Sequence, residues 1–382
     1  MVKVLFLIII YLLIKLKAKD INKDSNLIIK KKDNINSNYK KKNLILGTIV
    51  NYDWKTISPF FISFKKAGFN NCDCIMFANK IEQKIINKIK SFDVKIIQKQ
   101  RILNVRINNY RYKLYEDFLR NNSDKYHLVL IIDVRDSIFQ KDIFKYYENN
   151  KSILVLSLED ENLSTIINKS WFIDAFGVNI HKTIENERII CSGTILGSSD
   201  KILEFSSMIW KVLKINNYSR KRWHDQSAVN YLIYYKKLFH NDFIVRNENK
   251  NGLILTLATA NPKNFMIDSE DNILNGNGEI AAVIHQYNRY NNITSKILNK
   301  YSSDSIKENE YNNYNKIEFS KSFLKKSQLF KDHIYLSLTK KNTNKNVKIQ
   351  QYILILFILL ILLKIKFSSF IHFQKNQGIK IK

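Results

Sequence analysis

The chain has only three cysteines in 382 residues, no internal repeat, and no apolar run of the roughly 20 residues that a comfortable membrane span needs. Cys72, Cys74 and Cys191 are too few for a disulfide scaffold, and a C-x-C pair alone is not a zinc knuckle. They read as ordinary strand residues, with one disulfide and a leftover thiol as the alternative. A continuous basic stripe is also missing, despite a net charge of +28. The excess sits in the tails: residues 1–43 hold 11 Lys against 3 Asp, and residues 320–382 hold 13 Lys against 1 Asp. The stretch between them, 44–319, carries 38 bases against 30 acids and no Arg-rich helix. A nucleic-acid binder concentrates positive charge on its folded surface, so this class is disfavoured and no nucleic-acid partner is expected.

With 45% hydrophobic and 12% aromatic residues, the chain can bury the core of one large domain or two ordinary ones. It opens "MVKVLFLIIIYLLIKLKAKD", in which Lys3 precedes an apolar run from Val4 to Ile14, the pattern of a secretory signal. Lys15, Lys17 and Lys19 make a poor cleavage site, so residues 1–19 are expected to be a signal peptide or an uncleaved signal anchor, leading into a basic linker at 20–43. Near the other end, "YILILFILLILLKIKFSSFIHF" has an uninterrupted apolar run from Tyr352 to Leu363. Adding Ile349 and letting Lys364 and Lys366 snorkel brings it close to the thickness of a thin internal membrane. A transmembrane anchor is therefore expected at 349–371, with a short basic tail at 372–382 facing the cytosol. Before it, 291–348 is rich in Asn, Lys and Ser and reads as a polar stalk with a weak helix at 319–330. Five Asn-x-Ser/Thr sequons, at Asn121, Asn162, Asn168, Asn217 and Asn292, permit a secreted fate without diagnosing it.

Between the tails, strand-like and helix-like segments alternate. "NLILGTIV", "CIMF", "VKIIQ", "HLVLII", "ILVLSL", "RIICSGTILG", "LILTLA" and "AAVIH" are short apolar runs of strand type. Between them lie helical patterns: one from Ser58 and Pro59 to Gly68, then "KIEQKIINKIK", "NNYRYKLYEDFL", "SDKILEFSSMIWKVL" and "SAVNYLIYYKKLF". Such alternation predicts an α/β domain over 44–290, a mostly parallel sheet flanked by helices. In such sheets ligands bind beyond the carboxyl ends of the strands.

Chemistry-bearing residues fall at those ends. "IIDVRDSIFQKDIF" delivers Asp133, Arg135 and Asp136, and two carboxylates that meet after a turn suit a hard divalent cation shared with phosphate. Arg135 can pair with phosphate or neutralise its neighbours. The alternative is a turn whose aspartates cap a helix over "SIFQKDIF". "ICSGTILGS" brings Ser192 and Gly193, where glycine lets a ligand approach the backbone. "RWHDQSAVNYL" sets Trp223, His224, Asp225 and Gln226 at a helix start, with Asn230 on the same face as Gln226. His285 closes an apolar strand in "VIHQYNRY", as Asp133 does in its own, and an imidazole there can ligate metal. Glu159 follows "ILVLSL" and is either a base or part of a solvated acidic loop, "LEDEN". Arg106 and Arg111 lie before or on the helix that feeds the strand ending at Asp133.

Taken together and in this order, these stretches resemble glycosyltransferases of the GT-A fold, the nucleotide-diphospho-sugar transferases, over roughly 44–290. The resemblance implies a GT-A-like single catalytic domain between terminal hydrophobic segments. It implies a nucleotide-diphosphate sugar as donor, Mn²⁺ or Mg²⁺ bridging its diphosphate, and transfer of the sugar to the hydroxyl of a glycan, protein or lipid acceptor. Asp133 and Asp136 match the acidic metal motif and His285 the late metal-binding histidine. Asp225 and Gln226 match the Asp-Gln motif of the sugar pocket, with Glu159 as a second base candidate. Asn51, Tyr52 and Asp53 stand where such folds hold the nucleoside; Arg111, Arg135, Ser192 and Gly193 are further candidates to contact the donor, on their own chemistry. One departure is plain: the family spaces its carboxylates two apart, and Arg135 takes the second place here. Asp136 is therefore the expected direct metal ligand, with Asp133 on ribose or metal. Expected localisation is the membrane of the endoplasmic reticulum or Golgi, with the catalytic domain lumenal. The alternative is a catalytically inactive module of this fold that binds a sugar nucleotide or glycan.

Overall fold

The computed structural model describes residues 41–99, 105–215, 224–239 and 241–302, all within one unit, Met1–Ser303. The expected signal segment, the transmembrane anchor, the basic tail and the helix at 319–330 lie outside the described residues. Among the described residues, no helix is long and apolar enough to cross a membrane.

In chain order the strands are β1 (Lys42–Val50), β2 (Cys72–Asn79), β3 (Val94–Gln98), β4 (Tyr126–Ile132), β5 (Ser137–Phe139), β6 (Leu154–Asn162), β7 (Arg188–Ser198), β8 (Ile244–Glu248), β9 (Ile254–Thr256), β10 (Phe265–Ile267), β11 (Ile273–Asn275) and β12 (Val283–His285). The α-helices are α1 (Trp54–Lys66), α2 (Gln83–Lys90), α3 (Ile107–Arg120), α4 (Ile166–Phe176), α5 (Val178–Ile184), α6 (Ser199–Ile215), α7 (His224–Asn230) and α8 (Asn291–Tyr301).

Seven strands form one sheet in the order β3-β2-β1-β4-β7-β6-β8. All its pairings are parallel except the two made by β7, which runs against β4 and β6. The fold is thus α/β with a mostly parallel sheet flanked by helices, as the alternating pattern predicts. The period-two alternation of the strands sorts their side chains between two apolar layers. Leu44 and Leu46 of β1, with Val129 and Ile131 of β4, pack beneath α3, α6 and α7. Ile45 and Ile49, with Leu128, Leu130 and Ile132, face α1 and α2 on the other side. Each fully buried side chain of this size contributes about 1.5–3 kcal/mol. The sheet is buried on both faces, hence its near-continuous apolar runs.

Strand order reverses between β1 and β4, the place where a doubly wound sheet opens a crevice at its carboxyl edge. A second sheet, β5-β12-β9, stands beside that edge. β12 pairs antiparallel with β5 and parallel with β9, and a third apolar cluster around Ile138, Leu255 and Ile284 lies beneath. The stretch "SIFQKDIF" is not the helix allowed as an alternative. Ser137–Phe139 is a strand, and only Ile143–Tyr146 winds into a 3₁₀ turn, which Asp142 caps through the amide of Phe144 at 3.0 Å. Backbone pairing with β12 wins over local helix preference there.

The domain also runs past residue 290. α8 buries Ile293, Ile297 and Tyr301 in the third cluster, so the first residues assigned to the stalk belong to the fold. Its apolar residues recur at a spacing of four along one face, which a count of Asn, Lys and Ser conceals.

Candidate metal-centred site

β4 leads straight into Asp133, whose backbone amide donates to the carbonyl of Gly193 at 2.8 Å. The chain then turns within three residues, and β5 begins just after Asp136. The register of β5 against β12 sets Ser137 opposite His285, and the amide of Gln286 donates to the carbonyl of Asp136 at 2.7 Å. Two sheets therefore bring together three groups that lie 152 positions apart at the extremes of the chain segment, Asp133 to His285.

His285 Nε2 stands 3.7 Å from Asp133 Oδ2 and 3.7 Å from Asp136 Oδ1. That is too long for hydrogen bonds, and this buried nitrogen has no hydrogen-bond partner. Donors on one octahedral ion with bonds of about 2.1 Å sit roughly 3–4 Å apart, so the spacing fits a shared cation. Asp133, Asp136 and His285 form a group whose ligand atoms lie within 4.8 Å of one another, and it can bind a metal ion. Two carboxylates and an imidazole suit a hard or borderline divalent ion. Asp136 and His285 are buried, whereas the Asp133 side chain keeps 34% of its surface accessible, so the cluster opens to solvent on that side. Gly193 closes the opposite wall. A Cβ there would stand 2.3 Å from His285 Cε1 and 2.5 Å from Nε2, so a glycine is what lets the ring occupy its place.

Charge at the site is dominated by Arg111. Its guanidinium, 4% accessible, pairs with Asp133, with Asp225 Oδ2 at 2.9 Å, and donates to the carbonyl of Ser192 at 2.8 Å. Although burial favours the neutral acid, Arg111 and His285 hold the Asp133 carboxyl below the usual range. Burial wins at Asp225, whose carboxyl is raised despite Arg111, and its Oδ1 is buried without a partner. Burial would lower the His285 imidazole, but Cys191, Asp133 and Asp136 outweigh it and raise it well above its ordinary value.

A second cluster adjoins the first. Ser192 Oγ donates to Asp225 Oδ2 at 3.3 Å, and Gln226 Nε2 donates to Asn168 Oδ1 at 2.9 Å and to Glu159 Oε1 at 3.4 Å. Asn230 fixes the start of α7 by donating to the carbonyl of Gln226 at 2.8 Å. Glu159 is 3% exposed, so it is not part of a solvated acidic loop. Burial pushes its carboxyl up to about 7, against the opposing pull of Thr259, His285 and Gln226. A carboxyl poised there can accept and return a proton near neutrality.

The remaining expected residues sort by position. Arg111, a candidate for the donor whose commoner fate on a helix is solvation, is instead buried with its guanidinium committed to two carboxylates. Arg135, its side chain 40% accessible, pairs with Asp136 Oδ2 at 3.3 Å beside the cluster. At the end of β1, Asn51 holds a left-handed backbone (φ 57°), and burial raises the Tyr52 hydroxyl, on which the charges of Arg135, Asp133 and Asp136 also act. Asp53 caps α1 through the amide of Thr56 at 2.8 Å and is exposed. Arg106 is exposed at the start of α3, and Trp223 lies outside the described residues.

Ser192 and Gly193 reach the site for a reason the sequence conceals. Their strand runs against its neighbours, so its opening half, not its end, passes the carboxyl edge of the sheet. Sequence reasoning missed Asn168, Thr256 and Thr259, and missed that Cys191 touches His285, with Sγ 3.4 Å from Nδ1. Only Thr256, closing the apolar run "LILT", carried the strand-end signal that picked out Asp133 and His285. Asn168, one of the sequons, is buried against Gln226 and is a site residue. No family model matches this chain, and no curated protein matches it.

Proposed function

We propose that the chain is a metal-dependent glycosyltransferase of GT-A-like fold, moving a sugar from a nucleotide-diphosphate donor to an acceptor hydroxyl. The observation that carries this reading is the meeting of Asp133, Asp136 and His285, with an orphaned imidazole nitrogen, at the crevice where β1 and β4 diverge. In transfer, the acceptor oxygen bonds to the anomeric carbon, the bond from that carbon to the phosphate oxygen breaks, and the acceptor proton passes to a base or solvent. Asp133, Asp136 and His285 would hold Mn²⁺ or Mg²⁺, which when bound offsets the charge on the diphosphate.

The chain's own groups supply the rest. Arg135, exposed beside Asp136, adds positive charge at the mouth of the site. Asp225, buried and oriented by Arg111 and Ser192, is the carboxylate that would orient the donor sugar. Gln226, held by Asn168, lines the same wall. Glu159 is the proton acceptor best matched to neutral pH. Placement in the membrane of the endoplasmic reticulum or Golgi, with this domain lumenal, belongs to the same reading. It predicts that protease added outside sealed vesicles removes the final residues and spares the domain.

The enzymatic test is hydrolysis or transfer from a panel of nucleotide sugars, with and without Mn²⁺. Activity is expected to need the ion and to fall below detection in Asp136→Ala. Full activity in excess chelator, or in that variant, would overturn the reading. Thermal stabilisation by a nucleotide sugar that survives Asp136→Ala, with no turnover in either protein, would favour an inactive binding module instead.

A further inference from the structure

The His285 ring has a second face to explain. Its Nδ1 lies 3.4 Å from Thr256 Oγ1, and the Thr256 hydroxyl donates its single proton to Gln286 Oε1 at 3.1 Å. A hydroxyl whose proton is committed can offer only lone pairs to another neighbour. Thr256 thus favours the tautomer that carries the hydrogen on Nδ1, with Nε2 left as the nitrogen that turns to Asp133 and Asp136. The relay is rigid. Thr256 is fully buried and sits opposite His285 in the parallel β9–β12 register. Gln286 takes a left-handed backbone, φ 58°, which a non-glycine residue adopts only when its surroundings impose it, and its amide clamps the carbonyl of Asp136. Cys191 Sγ, at 3.4 Å from the same Nδ1, is a weaker second acceptor.

We infer that Thr256 and Gln286 are positioning residues, a hydrogen-bond relay that fixes the tautomer of His285 and so makes its Nε2 a cation ligand. The inference rests on the metal-site reading above. Neither residue touches the cation. They act through His285 and, for Gln286, through the backbone of Asp136.

Mn²⁺ alone, titrated into the full chain and followed by electron paramagnetic resonance, provides the test. Thr256→Val keeps shape and removes the acceptor, and is expected to weaken Mn²⁺ binding about 10- to 100-fold. Thr256→Ser restores the hydroxyl and is expected to return affinity to within about three-fold of the wild type, a rescue that a purely space-filling role would not give. Gln286→Met removes the relay's far end at similar length and carries the same test should Thr256→Val fail to fold. Asp136→Ala separates the two ideas. Unchanged binding in Thr256→Val and Gln286→Met, with loss in Asp136→Ala, would overturn the relay and leave the metal site standing. Unchanged binding in Asp136→Ala would remove the metal site and the relay with it.

Discussion

The two sheets that meet at the site divide the work unequally. The seven-stranded sheet is long, apolar on both faces and sandwiched between helices, and of the three metal-site groups it supplies only Asp133. The sheet β5-β12-β9 has three residues in each strand, yet Asp136 borders it and His285 closes it. Stability thus resides chiefly in one sheet and the candidate ligands chiefly beside the other. The site needs the smaller sheet held in register against the larger, to a fraction of an ångström.

The largest expected effect comes from the charge that joins the two. Arg111→Met leaves Asp133 and Asp225 without their cation and should cost about 4 kcal/mol at pH 7 in chelator, read by urea unfolding. The loss should shrink as pH falls, because protonation relieves the unpaired carboxylates. A loss that does not change with pH would mean that Arg111 acts through packing alone.

Next, Leu130→Ala in β4 should lower stability by about 3 kcal/mol and leave the Mn²⁺ affinity of the folded protein unchanged. Ile284→Ala in β12 should cost about 2 kcal/mol and also weaken Mn²⁺ binding about ten-fold. Equal affinities in both variants would break the division between the sheets.

Glu159 tests the large sheet where it borders the site. Its folded carboxyl is raised from 4.5 to about 7, so the stability linked to it is complete below 4.5 and lost as pH rises through 7. Up to about 3 kcal/mol of stability should disappear across that window, and Glu159→Gln should flatten the profile. An unchanged slope in the variant would show that Glu159 is solvated.

Gly193→Ala should cost about 1–3 kcal/mol by overpacking and reduce Mn²⁺ affinity about 100-fold, since the added methyl takes the space of the His285 ring. The smallest effect is expected at Arg135, whose half-exposed contact with Asp136 should contribute under about 1 kcal/mol; Arg135→Gln should unfold at nearly the same urea concentration.

Much of the large sheet was legible because its inner strands are long enough to show an apolar run between breakers and are buried on both faces, whereas the edge strand β8, "IVRNE", shows no such run and was missed. The metal-site group was legible as well, because Asp133 and His285 each close such a run. The second sheet was legible only in part: "LILTLA" and "AAVIH" read as strands, but "SIF" is too short to show a period, and its pairing with β12 is decided by contacts more than a hundred positions apart. Strand direction is equally hidden. "RIICSGTILG" is as apolar as its parallel neighbours, and only the chain's return through α4 and α5 sets it against them. Arg111 misled for a different reason: a basic residue on a helix is usually solvated, and nothing nearby in the chain announces the two distant carboxylates that bury it.

The reversed strand β7 has one more implication. Ser192 and Gly193 are consecutive, so the pleat turns them to opposite sides: the hydroxyl to Asp225, the bare Cα to His285. Inserting or deleting a single residue upstream in this strand would exchange the two and push a side chain into the imidazole. Descendants of this chain are free to change many letters of the strand, but its length is a parity lock between the side that meets Asp225 and the side that meets His285.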